Sequence, residues 1–217
     1  MFKKSLVVCT FLFIVSGCVY RDEPAPRIAD SPVSSEPKLT KPRIVEPSPT
    51  RRRVAASVPR DWFPPANLEK KWKAIVVHHS ATGNGNAAIF DKWHREGNHW
   101  DGVGYDFVIG NGTDSADGLV EVTFRWREQK TGAHCGGTPG NWANEDAVGI
   151  CLVGDYNNTI PTARQMQSLA KLTRFLQRRY RIPASRIYGH NTTPGARTTD
   201  CPGRNFPMAR FKSMVDG

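Results

Sequence analysis

From residue 73 onward, short apolar runs alternate with longer stretches whose apolar positions recur with a period near 3.6, and the two rhythms follow one another along the chain. Lys73 to His79, with the run Ala74-Ile75-Val76-Val77, predicts a first strand. Asn86 to Glu96 sets Ile89, Phe90 and Trp93 on one face and predicts a helix stopped by Gly97. Tyr105 to Ile109 and Leu119 to Phe124 read as strands around a Gly/Asn/Asp-rich turn, and Ala147 to Val153 as an apolar, central strand. Thr162 and Gln165 have capping-box spacing and open the clearest helix, which carries Met166, Leu169, Leu172, Leu176 and Tyr180 on one stripe and ends before Pro183. A short helix is expected after Pro207. Strands alternating with helices predict a single α/β domain over residues 59–217, a mixed central sheet flanked by helices.

Before residue 59 neither rhythm holds. Met1-Phe2-Lys3-Lys4 followed by an apolar run to Val15 has the charge and length of a signal sequence, and the run is shorter than the roughly 20 residues of a membrane-spanning helix. Val15-Ser16-Gly17-Cys18 resembles the lipobox of bacterial lipoproteins, which implies removal of residues 1–17 and acylation of Cys18 by fatty chains such as palmitate. Residues 18–58 repeat proline among Ser, Lys, Arg and Glu, with no aromatic after Tyr20, and are expected to form a disordered, extended tether. At about 3.1 Å per residue such a segment reaches on the order of 100 Å. The expected location is the cell envelope, on the outer membrane facing the periplasm, with the membrane contacted through the lipid anchor.

Three later segments suit metal binding: VVHHSAT with His78, IYGH with His190, and TDCPG with Cys201. Alone, each residue has a bland reading, a hydrogen-bonded histidine or a small buried cysteine. Together, two imidazoles and a thiolate form the donor set of a catalytic Zn²⁺, which leaves one tetrahedral position open for water. A structural site would close with four protein ligands. Asp200 precedes Cys201 directly and is a rival ligand on the residues alone.

These segments stand in an order that resembles the zinc-dependent type 2 N-acetylmuramoyl-L-alanine amidases, the family of phage amidases and peptidoglycan-recognition proteins. VVHHSAT, WDGVGYDFVIG, GAHCGG, AVGICLVGDYN, TARQMQSLAKL, YGH and TDCPG follow one another as in that family, from about residue 60 onward. The resemblance implies that His78, His190 and Cys201 are the metal ligands, with His79 pointing to the opposite strand face. It implies a catalytic Tyr105, and places Thr199 where phage members carry Lys and recognition-protein amidases carry Thr. Cys151 stands where another branch of the family has a Glu, so proton transfer falls to Tyr105, whose phenol would need a lowered pKa to act as a base. His134, in the Gly-rich loop, is a candidate substrate contact or a second polar group near the zinc, and Arg197 a candidate substrate contact. Trp93 and Trp100 are rim or packing residues that can also flank a sugar; His94 and His99 read as surface or packing residues.

The net charge of +10 is compatible with nucleic-acid binding, but no nucleic-acid motif accompanies it. On an exported protein the charge favours encounter with the carboxylates of wall peptides. Of five cysteines only Cys135 and Cys151 are left to pair, and free thiols are expected, Cys151 buried on a strand. The expected activity is hydrolysis of the amide between N-acetylmuramic acid and L-alanine in peptidoglycan or muropeptides, by a monomeric, zinc-dependent enzyme. The alternative is a recognition module that binds muropeptides without cutting them; the resemblance implies that such members typically lack the cysteine ligand. A thiol hydrolase with Cys201 as nucleophile is a third reading, weakened by the lack of an orienting partner for its histidine.

Overall fold

A computed structural model describes residues 57–216. The expected signal segment 1–17, the acylation site Cys18 and the tether up to residue 56 lie outside the described residues. A short 3-10 turn, Arg60–Trp62, buries Trp62. There follow β1 (Ala74–His79), α1 (Ala87–Asn98), β2 (Phe107–Ile109), β3 (Val120–Val122), α2 (Phe124–Arg127), α3 (Trp142–Asp146), β4 (Ala147–Leu152), α4 (Ala163–Tyr180), β5 (Ile187–Gly189) and α5 (Met208–Val215). No helix among the described residues is long and apolar enough to cross a membrane.

The strands form one mixed sheet in the order β3-β2-β4-β1-β5. β1 pairs in parallel with both β4 and β5, β2 pairs in parallel with β4, and β3 runs antiparallel to β2 at the edge. All six residues of β1 and of β4 are buried, which is why both read as continuous apolar runs rather than as alternations. Strand pleating divides their side chains between two layers. Ile75, Val77, Val148, Ile150 and Leu152 pack with Leu169, Leu172 and Leu176 of α4 and Phe211 of α5. Val108 and Cys151 face the opposite layer, where α1 contributes Phe90. Ala74, Val76 and Ala147 share that side with Trp142 of α3. By the same alternation His78 belongs to the α1 and α3 side and His79 to the α4 side.

The capping box expected at Thr162 and Gln165 is present, each side chain bonding the other's backbone N–H. Several element ends shift from the sequence reading, and three of the shifts have consequences. Gly97 lies inside α1, on the exposed face where an added Cβ would touch nothing within 4 Å. The stop falls instead at His99, in the left-handed region at φ 57°, with its N–H on the His94 carbonyl. Tyr105 precedes β2 instead of starting it, and Phe124 opens α2 instead of ending a strand, because the Thr123 side chain caps the Arg125 N–H. β5, α2 and α3 are short elements without a periodic signal in the sequence.

Candidate metal centre and its cleft

β1 delivers His78 at the carboxyl end of the sheet, and β5 runs parallel beside it and ends at Gly189, so that His190 emerges at the same end, next to the edge strand. Cys201 arrives from the loop after β5. One donor atom from each of His78, His190 and Cys201 lies within 4.8 Å of the others. His78 Nδ1 is 3.5 Å from Cys201 Sγ, and the His78 and His190 ring centroids are 4.7 Å apart. Asp200 does not join them: it is exposed, while Cys201 faces inward.

The electrostatics suit a cation. Burial together with the neighbouring histidines holds His78 well below the usual imidazole range, and burial lowers His190 too, so both rings are neutral and keep a lone pair. The buried Nε2 of His190 has no hydrogen-bond partner among the described residues. Burial pushes the Cys201 thiol up to about 12, while the His79 backbone N–H, 3.4 Å from the sulfur, opposes that rise. A thiol so placed is inert as a free nucleophile and becomes a thiolate next to a metal ion. An orphaned imidazole nitrogen, a second neutral ring and a sulfur fit Zn²⁺.

The neighbouring residues are arranged around this point. His79 faces the other way, its Nδ1 accepting the Tyr156 N–H at 3.1 Å. Tyr105 is partly buried, with its ring centroid 5.2 Å from that of His78. Burial and the nearby Cys151 and Cys201 thiols raise its phenol well above the usual tyrosine range, the opposite of the lowering a basic role would need. The phenol therefore holds its proton and can donate it in a hydrogen bond. Thr199 Oγ1 accepts the Cys201 N–H at 3.1 Å, which fixes the hydroxyl against the backbone of that residue.

His134 is buried; one ring nitrogen lies 3.1 Å from His78 Nε2 and the other 3.3 Å from the Ala147 carbonyl oxygen. The sequence reading did not identify Asn144. Its Oδ1 accepts the N–H groups of His134 and Cys135 at 2.8 and 2.9 Å and so holds the Gly-rich loop against α3. Nothing local distinguishes that asparagine from its neighbour Asn141.

A cleft of about 480 Å³ opens beside the ligands, lined by Trp100, His134, Asn144, His190, Arg197 and Thr199 among others. Arg197 is exposed, with its guanidinium above Gly136. Trp100 reaches the cleft and packs against His94, whereas Trp93 packs on Phe90 away from it. His94 is a packing residue with a bonded nitrogen: its Nδ1 accepts the Gly104 N–H at 3.0 Å. Cys135, Cys151 and Cys201 are free, and Cys151 is buried on β4.

Residues 68–204 match the family model described as N-acetylmuramoyl-L-alanine amidase. The chain is similar to peptidoglycan-recognition protein SC2 of Drosophila melanogaster, 31% identical over 141 residues that make up 60% of this chain and 68% of that protein. It is 33% identical to peptidoglycan recognition protein 1 of Bos taurus over 132 residues, 57% of this chain and 64% of that one. Among solved structures, the N-acetylmuramoyl-L-alanine amidase LysC from Clostridium intestinale aligns with a TM-score of 0.57 and 31% identity, covering 67% of this chain and 86% of that one.

Proposed function

We propose that this chain, which belongs to the N-acetylmuramoyl-L-alanine amidase family, uses zinc to hydrolyse the amide joining the lactyl carboxyl of N-acetylmuramic acid to L-alanine in peptidoglycan or its fragments. The observation that carries this reading is the convergence of His78, His190 and Cys201, drawn from three separate segments onto one point beside an open cleft. When bound there, zinc supplies a Lewis acid for the carbonyl oxygen and a water that ionises near neutral pH.

The chain's own groups supply the rest. Tyr105, protonated through the neutral range, donates to the oxygen on which negative charge develops, and the Thr199 hydroxyl, fixed by the Cys201 N–H, offers a second donor. Arg197 at the rim is a cation for the carboxylates of the stem peptide, and Trp100 a platform for a sugar face. Substrate binding at these two residues belongs to the same proposal. So does the setting, a domain tethered to the envelope through acylated Cys18, which rests on the amino-terminal sequence alone.

A second reading, recognition without cleavage, is favoured by the names of the relatives at about 30% identity. Product analysis separates the two. Purified protein incubated with wall material is expected to release intact stem peptides with a new amino-terminal alanine, identified by mass, and a chelator is expected to stop the release. Binding of muropeptides with no released peptide, in zinc-loaded protein, would establish the second reading instead.

A further inference from the structure

We propose that His134 is a positioning residue for the metal site: it passes the acceptor character of a backbone carbonyl from one imidazole to the next and so selects which nitrogen of His78 is free to bind. The inference rests on the zinc reading above and deepens it.

The argument starts at Ala147. A carbonyl oxygen can only accept, so His134 Nε2, 3.3 Å from it, must carry the proton of that bond. The ring is buried and neither of its hydrogen-bond partners is a carboxylate, so it is a neutral imidazole whose Nδ1 has a lone pair. That Nδ1 lies 3.1 Å from His78 Nε2, which must therefore be the protonated nitrogen of His78. His78 is likewise buried with no carboxylate partner, which leaves Nδ1 as its only lone pair, and this is the atom 3.5 Å from Cys201 Sγ. The direction of both hydrogen bonds follows from the one group in the series that cannot reverse.

The ring's seat is built for it. Asn144 Oδ1 gathers the His134 and Cys135 N–H groups, and Asn144 Nδ2 returns a bond to the Cys135 carbonyl at 3.2 Å. A Cβ at Gly149 would stand 2.4 Å from His134 Cδ2, and one at Gly132 would stand 2.6 Å from the same atom. The imidazole thus occupies space that two side chains have given up, one of them in the middle of β4. With both ring nitrogens engaged inside the protein, His134 has none left to offer a substrate. Ligand histidines usually lean on a carboxylate, a carbonyl or water. Here a neutral imidazole stands between the carbonyl and the ligand, and it transmits orientation without adding negative charge beside the Cys201 thiolate.

The test has two readouts, neither of which uses turnover. In the metal-free full chain, proton–nitrogen correlation spectra of the imidazoles are expected to show both His78 and His134 protonated at Nε2. In competition with a chromophoric chelator, His134→Phe is expected to bind Zn²⁺ roughly 10- to 100-fold more weakly, the usual cost of removing such a partner. His134→Gln, whose amide offers both an acceptor and a donor, should recover part of that loss. Gly149→Ala should weaken binding while removing no polar group. His78 protonated at Nδ1 in the metal-free chain would overturn the proposal, as would a folded His134→Phe variant with wild-type zinc affinity. Should His134→Phe fail to fold, the wild-type spectra and the glutamine variant decide. A wild-type chain that binds zinc but cuts no wall material defeats the amidase reading and leaves this inference standing; the wrong tautomer in an active enzyme defeats only this one.

Discussion

His78 Nδ1 stands 3.5 Å from Cys201 Sγ although the two residues are 123 positions apart in the chain. That distance lets one cation contact both, and it makes the sulfur's protonation dependent on the cation. Cys201→Ser replaces a soft thiolate with a hard, weakly acidic hydroxyl. The variant is expected to lose stoichiometric zinc in elemental analysis and all detectable cleavage, while circular dichroism of the fold persists. Retained zinc at wild-type stoichiometry would remove Cys201 from the ligand set.

The Tyr105 ring lies 5.2 Å from that of His78, with its phenol held protonated by burial. Tyr105→Phe keeps the ring and deletes only the donor. The expected loss is roughly 10²- to 10³-fold in kcat, with little change in zinc affinity. Because the phenol's pKa is raised, wild-type kcat should show no loss near neutral pH from its ionisation. A phenylalanine variant with full kcat would show that the hydroxyl takes no part.

Thr199 combines a local bond with the expected catalytic one, since its oxygen already accepts from the Cys201 N–H. Thr199→Val removes both and should lower kcat by on the order of 10²-fold. Thr199→Ser should restore most of it. Equal behaviour of the valine and serine variants would assign the effect to packing.

Asp106 is fully buried; one carboxylate oxygen accepts the Gly149 N–H at 2.8 Å and the other has no partner among the described residues. Burial raises its pKa to about 7, against about 3.9 in an unfolded chain. Between these values the folded state keeps a proton that the unfolded state has released, so this group's contribution to stability falls as pH rises through the window. Asp106→Asn retains an acceptor for Gly149 without the charge. Its urea midpoint should gain on the wild type as pH rises from about 4 to about 7 and then run parallel to it. An unchanging difference across that range would mean that Asp106 ionises as an ordinary carboxyl.

What the amino-acid order determined by itself was everything with a local cause. The apolar runs at 74–77 and 147–153 marked buried strands, the Thr162 and Gln165 spacing marked a helix start, and three short segments carried histidine and cysteine in settings suited to a metal. The resemblance to the family's ordered motifs added expected roles for Tyr105 and Thr199. Only the tertiary structure decided that His190 and Cys201 meet His78, because the parallel register of β1 with β5 brings distant strand ends side by side. It also decided that His134 bonds to His78, that Asn144 holds the loop that carries His134, and that Gly149 makes the room. Contacts between residues 56 or 123 positions apart depend on strand order and layer packing, and they leave no period or spacing in the segments they join. The same is true of the raised Tyr105 phenol, whose shift comes from groups that burial places around it and not from its neighbours in the chain.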